Sequence, residues 1–164
     1  MQRFKKIKLT QGKYALVDAE DLEWLSRWKW FYHLHPKDKT GYACTNGKYV
    51  NGERLPKTRM HNLIMGMGVD HINGSGTDNR RKNLRKADKF QQAYNKGIQK
   101  HKKTKGCKGV SITRDRNGVQ KYWIARITVN GNRIYLGTFK NHIAASRAYI
   151  KAAKKYHGEF ARWK

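Results

Sequence analysis

Apolar residues alternate with lysines in Lys6-Ile7-Lys8-Leu9 and cluster in Tyr14-Ala15-Leu16-Val17, with Gln11-Gly12 between them, so the pattern predicts two short strands around a turn. Asp18 then occupies the position of a helix N-cap. The helix it would start, from Ala19, carries Asp21 in its first turn and sets Leu22, Leu25 and Trp28 on one side. Trp28, Trp30, Phe31 and Tyr32 follow as strand or core. A small domain needs large apolar side chains to bury enough area, so this aromatic cluster reads as packing rather than as a platform for stacked bases.

Further along, Val69 closes a short strand with His71 at its end, and Gly74, Gly76 and Asp78-Asn79 supply the turn chemistry that brings the chain back. Leu84, Ala87, Gln91 and Tyr94 recur at helical intervals and predict a helix after Asn83. A different pattern begins beyond the basic, Gly-ended run 100–106. Gly109-Val110-Ser111-Ile112-Thr113, then Tyr122 to Val129, then Arg133 to Gly137 read as three strands; turns fall at Asn117-Gly118 and at Asn130-Gly131, the strongest hairpin signal in the chain. An Ala-rich helix from Ile143 to Tyr156 follows, with Ala144, Ala148, Ala152 and Tyr156 on a narrow stripe suited to lying on a sheet. The expected organisation is an N-terminal strand and helix extension over 1–57, a central segment 58–98, a basic linker 99–106 and a C-terminal domain 107–164.

Charge supplies the partner. Lys and Arg number 37 against 11 Asp and Glu, a formal net charge of +26 with a pI near 10.3, and a surface so basic attracts polyanions at long range. Nucleic acid is the first candidate. Binding to an anionic membrane calls for an apolar face or a long apolar run, and neither is present. A mean hydropathy of -0.94 and an N-terminus without an apolar h-region point to a soluble, intracellular protein. Cys44 and Cys107 are too far apart for any Cys-x-x-Cys pair, so neither structural zinc nor a disulfide framework is expected. Nothing in the pattern calls for an obligate protein partner.

The residues richest in chemistry are Val69-Asp70-His71-Ile72-Asn73-Gly74, followed by Asp78-Asn79-Arg80-Arg81 and Asn83-Leu84-Arg85. Histidine can take a proton from water near neutral pH, and a neighbouring carboxylate can hold a hard divalent cation. A hairpin carrying Asp-His, with Asn-Leu-Arg twelve residues on and a helix after it, resembles the HNH nucleases of the ββα-metal fold, and more narrowly the phage and intron-encoded HNH homing endonucleases. The resemblance implies that His71 is the general base, Asp70 a metal ligand and Asn83 the asparagine whose amide fixes the loop under His71. It aligns Gln92 with the family's last ligand, a His or Asn on the helix; Gln offers the same carbonyl oxygen on a stem one methylene longer. The implied cofactor is Mg²⁺ or Mn²⁺. His61, ten residues before His71, stands where it could approach a phosphate or serve as a structural histidine. Arg80, Arg81, Lys82, Arg85 and Lys86 crowd the same loop and are expected to grip the DNA backbone.

The C-terminal pattern, with Trp123-Ile124-Ala125, Tyr135 to Phe139, the Ala-rich helix and His157-Gly158-Glu159-Phe160-Ala161, resembles the plant ethylene-response-factor DNA-binding domain over about residues 107 to 163. That resemblance implies one sheet face in a DNA major groove. Matching that face selects Lys108, Ser111, Thr113, Arg126, Thr128, Arg133 and Tyr135. Strand alternation selects the same set, because Val110, Ile112, Trp123, Ala125, Ile127, Ile134 and Leu136 then form the core face.

The expected protein is thus an α+β, metal-dependent DNA endonuclease: a ββα-metal core with a small N-terminal α+β extension and a C-terminal three-stranded antiparallel sheet packed by one helix. It would bind duplex DNA and nick one strand per active site, in the cytoplasm of a bacterial or phage-infected cell. Two alternatives stand beside it. One is a catalytically weakened DNA-binding regulator. The other is an RNA-binding protein, against which the reading face offers only Tyr135 for stacking.

Overall fold

The computed structural model describes residues 4–36, 40–47, 49–50, 53–54, 56–98, 107–114 and 116–163. Two compact units divide the chain, Met1–Asp88 and Lys89–Lys164, and each mixes helices with small antiparallel sheets around a core of its own. The arrangement is α+β.

In the first unit, β1 (Phe4–Lys8) pairs with β2 (Tyr14–Asp18) around a turn where Gln11 and Gly12 take positive φ. The chain then makes a 3₁₀ turn, Ala19–Asp21, before α1 (Leu22–Ser26). The helix expected from Ala19 thus starts a turn late, and Asp18 does not cap it; its Oδ2 accepts from the backbone N–H of Arg81 instead, at 2.8 Å. Strands β3 (Phe31–His33), β4 (Tyr42–Thr45) and β7 (Thr58–Arg59) form a three-stranded sheet in that order, with β5 (Tyr49–Val50) and β6 (Glu53–Arg54) as a separate hairpin. Helix α2 (Met60–Met65) leads to β8 (Val69–His71), which pairs with β9 (Leu84–Lys86) so that His71 opposes Leu84 and Asp70 opposes Arg85. Ile7, Leu9, Val17, Leu25, Trp30 and Met60 share one core, so the N-terminal extension and the segment from Thr58 fold together.

The helix expected directly after Asn83 is displaced. Leu84–Lys86 is strand, because pairing with β8 buries Leu84, and α3 (Lys89–Asn95) begins only in the second unit. There β10 (Val110–Arg114), β11 (Gln120–Val129) and β12 (Asn132–Phe139) form a meander, closed by a turn with Asn130 at φ 49° and Gly131 at 86°. Helix α4 (His142–His157), N-capped by the Asn141 side chain, buries Ala145, Tyr149, Ala152 and Ala153 against Val110, Ala125 and Ile127. Small residues on α4 let it lie close to the strands. Tyr94 fastens α3 to this unit: its ring stacks on His157 at 3.7 Å, its hydroxyl donates to Asn130 Oδ1 at 2.9 Å, and it accepts from the Asn130 N–H at 2.7 Å. The basic linker expected over 99–106 lies outside the described residues.

Candidate functional site

Alternation along β8 turns Val69 and His71 inward and leaves Asp70 half-buried on the other side. His71 is only 5 % exposed, and beside it α2 places His61, 3 % exposed, with the two rings edge to face at 4.6 Å. Tyr42 of β4 completes the cluster, 5.7 Å from the His61 ring and 5.9 Å from that of His71. Gly76 lets the following loop close on this ring, since a Cβ there would sit 2.5 Å from Tyr42.

The loop from Asn73 to Asn83 is held by side-chain amides. Asn83 Oδ1 accepts from the Asn73 N–H at 3.0 Å, while its Nδ2 donates to Asn73 Oδ1 at 3.1 Å and to the Asp78 carbonyl at 2.8 Å. Asn79, fully buried, meets His71 Nε2 through its Oδ1 at 3.3 Å. An amide oxygen only accepts, so the imidazole is the donor in this contact. Burial pushes the His71 pKa down, outweighing the Asn79 bond and the Asp70 and Asp78 charges that favour protonation. Burial, followed by the His71 and Arg59 charges, pushes His61 down to about 3. Both imidazoles are neutral at neutral pH. The buried Nδ1 of His61 has no hydrogen-bond partner among the described residues, and at 3 % exposure this residue does not present itself to a phosphate at the surface.

The arginines expected to grip DNA in this unit each meet a carboxylate. Arg80 forks onto Asp78 through Nε at 2.7 Å and Nη2 at 2.6 Å; burial alone would raise the Asp78 pKa, but the bonds and charge of Arg80, with Asn73, hold it below its ordinary value. Arg81 reaches buried Asp21 through Nη2 at 2.7 Å and Nε at 3.1 Å, with Glu20 at 3.4 Å. Arg85 donates to Asp70 Oδ2 through Nε at 3.3 Å and Nη2 at 3.1 Å. Among the described residues no group of three or more His, Cys, Asp or Glu side chains is placed to hold a metal ion. What Asp70 offers is a carboxylate, a hard oxygen donor of the kind Mg²⁺ and Mn²⁺ take. Gln92 lies half-buried on α3, in the second unit.

In that second unit the open sheet face carries two cross-strand pairs, Arg126 opposite Tyr135 and Thr128 opposite Arg133, all exposed. The Arg126 and Arg133 side chains make no hydrogen bond or ion pair with another described residue. Ser111 and Thr113 are half-buried on β10, and the Thr113 hydroxyl is engaged with the Tyr122 backbone at 3.1 Å. Lys108 turns toward α3, where its Nζ donates to the carbonyls of Ala93, Tyr94 and Lys96 at 3.0, 2.8 and 2.9 Å. A cleft of about 490 Å³ opens on this face, lined by Phe90, Tyr94, Ser111, Arg126, Thr128 and Arg133 among others, and the described residues place no carboxylate in its wall.

Residues the pattern did not single out for the site are Asn79, Tyr42 and Arg59, whose guanidinium stacks over Tyr42 at 4.3 Å. Asn79 stood in plain view in the Asp-Asn-Arg-Arg run, where it reads as turn chemistry. Tyr42 and Arg59 reach the cluster through sheet pairing between β4 and β7, which no local spacing records. No protein-family model, curated protein or solved structure matches this chain.

Proposed function

We propose that the protein is a metal-dependent DNA endonuclease of the HNH, ββα-metal kind, in which His71 is the general base. The observation that carries this reading is a neutral imidazole whose Nε2 is fixed by Asn79, on a hairpin that also bears Asp70 and whose loop is tied by Asn83. His71 would take a proton from water as the water oxygen attacks phosphorus in line. The bond to the 3′ oxygen breaks, and that oxygen is protonated from solvent. A divalent cation at Asp70, Mg²⁺ or Mn²⁺, would stabilise charge on the reacting phosphate when bound. Arg126, Thr128, Arg133 and Tyr135 would hold duplex DNA through the exposed face of the second unit, whose guanidiniums, unpaired among the described residues, suit base edges or phosphates. No described helix is long and apolar enough to cross a membrane.

Plasmid nicking with Mg²⁺, with Mn²⁺ and with chelator tests the reading. Metal-dependent conversion of supercoiled to open circular DNA, lost in His71→Ala, is the expected result. DNA binding without cleavage is the second reading, favoured by the burial of His71 at 5 % exposure, and an inactive wild-type protein that still shifts duplex DNA would establish it.

A further inference from the structure

Every arginine that the sequence places beside His71 is committed to a carboxylate, which raises the question of what holds the phosphate. Arg80 is bound by Asp78, Arg81 by Asp21 and Glu20, and Arg85 by Asp70. Arg59 differs. It is exposed at the end of β7, meets no carboxylate among the described residues, and lays its guanidinium carbon 4.3 Å from the centre of the Tyr42 ring. Tyr42 is itself 5.9 Å from His71, so only one aromatic ring separates this cation from the proposed base. A cation held over a ring face keeps its N–H donors, so the fork of Arg59 can still meet two oxygens of a phosphate. Its charge is felt in the cluster: Arg59 is among the causes that keep both His61 and His71 unprotonated.

We propose that Arg59 is the phosphate-binding cation of this site, holding a backbone phosphodiester of the DNA strand against Tyr42 so that the adjoining phosphorus faces His71. This rests on the nuclease reading for the identity of the strand's fate, but the phosphate contact itself does not. Arg80, Arg81 and Arg85 are then structural ties, and the anion subsite is built from β7 and β4 instead of from the loop after His71. A lysine at the position would keep the charge and lose both the flat stack and the forked donors.

The test compares wild-type protein, Arg59→Ala, Arg59→Lys and His71→Ala for plasmid nicking and for duplex affinity across a salt series. Arg59→Ala is expected to lose about 10–100-fold in cleavage rate, the scale of a missing hydrogen bond to a charged group. Its plot of log K against log salt should flatten by about 0.9, the signature of one phosphate contact. Arg59→Lys should restore the slope and only part of the rate, and His71→Ala should lower cleavage by about 10²–10⁴-fold with the slope intact. An Arg59→Ala protein with wild-type slope and wild-type cleavage overturns the assignment of Arg59. If instead no variant cleaves, the wild type included, and Arg59→Ala still flattens the slope, the phosphate contact stands and the nuclease reading falls.

Discussion

The arginines around the loop after His71 and those on the open sheet face of the second unit are used in opposite ways. In the first, Arg80, Arg81 and Arg85 each grip a carboxylate; the Arg80 bond to Asp78 is local, whereas Arg85 reaches across the β8–β9 pair and Arg81 joins the loop before β9 to the turn after β2, some 60 residues away. In the second, Arg126 and Arg133 stand on an open face with no side-chain partner among the described residues. The distribution of acid explains the contrast. Nine of the eleven Asp and Glu residues precede Lys89, leaving Asp115 and Glu159 for the second unit. A guanidinium with a carboxylate at 2.7 Å is already satisfied and serves as a cross-link, whereas one without a carboxylate is a standing demand for an anion from outside. Clusters of basic residues in sequence therefore do not by themselves locate a nucleic-acid surface; the supply of acid around them does.

The sharpest division of labour concerns chemistry and grip. His71→Ala is expected to cut the strand-cleavage rate by about 10²–10⁴-fold while duplex affinity stays near wild type, because the base acts on water. Cleavage at the wild-type rate by this variant would remove His71 from the mechanism. Next in size, Arg126→Ala with Arg133→Ala should weaken duplex binding by about tenfold or more for each side chain and lower the salt slope by about 0.9 for each phosphate no longer neutralised. If the double variant binds as the wild type does, the open face is not where DNA sits, and the contrast between the units loses its functional meaning.

The paired arginines predict losses of stability instead. Asp21→Ala leaves the Trp24 Nε1–H, now 3.0 Å from Asp21, and the Arg81 guanidinium without this acceptor, and should cost about 1–3 kcal/mol in urea denaturation. Duplex affinity is expected to change little. A drop in affinity without a drop in stability would mean that Asp21 and Arg81 matter to the DNA surface after all.

The smallest effect is a gradual one with pH. His61 is neutral in the folded protein down to about 3 but takes a proton near 6.5 when unfolded, so between those values the unfolded chain binds more protons. The stability this histidine contributes is complete above about pH 6.5 and is lost as pH falls, by at most about 1.4 kcal/mol per unit. His71 and His157, both also pushed down by burial, act in the same direction. Urea midpoints measured from about pH 7 to about pH 4 should decline, and the decline should be shallower in His61→Phe. Equal slopes in the two proteins would mean that His61 is not held neutral by burial.

Sequence by itself determined the features that depend on near neighbours and on period. Alternation from Val110 to Leu136 and the Asn130-Gly131 turn specify the meander and the facing of most of its residues, since side-chain direction in a strand is set by parity; the register shift between Ala125 and Arg126, which leaves Leu136 out of the pairing, is not in that pattern. Alternation likewise seats His71 inward and Asp70 outward on one short strand. Only the tertiary structure decided which groups find each other across the chain. Leu84 stands at helical spacing from Ala87, Gln91 and Tyr94, yet Leu84–Lys86 becomes strand, because it pairs with β8, where Leu84 is buried opposite His71. Tyr94 draws α3 into the second unit by meeting His157 and Asn130, partners 63 and 36 residues away. The arginines after Asp78 are the clearest case: Arg80 takes its neighbour Asp78, but the roles of Arg81 and Arg85 are set by Asp21 and Asp70, whose positions depend on how β2 and β8 fold. Charge pairing is a property of distances in space, and at +26 the chain holds too little acid for every arginine, so folding selects which ones stay open.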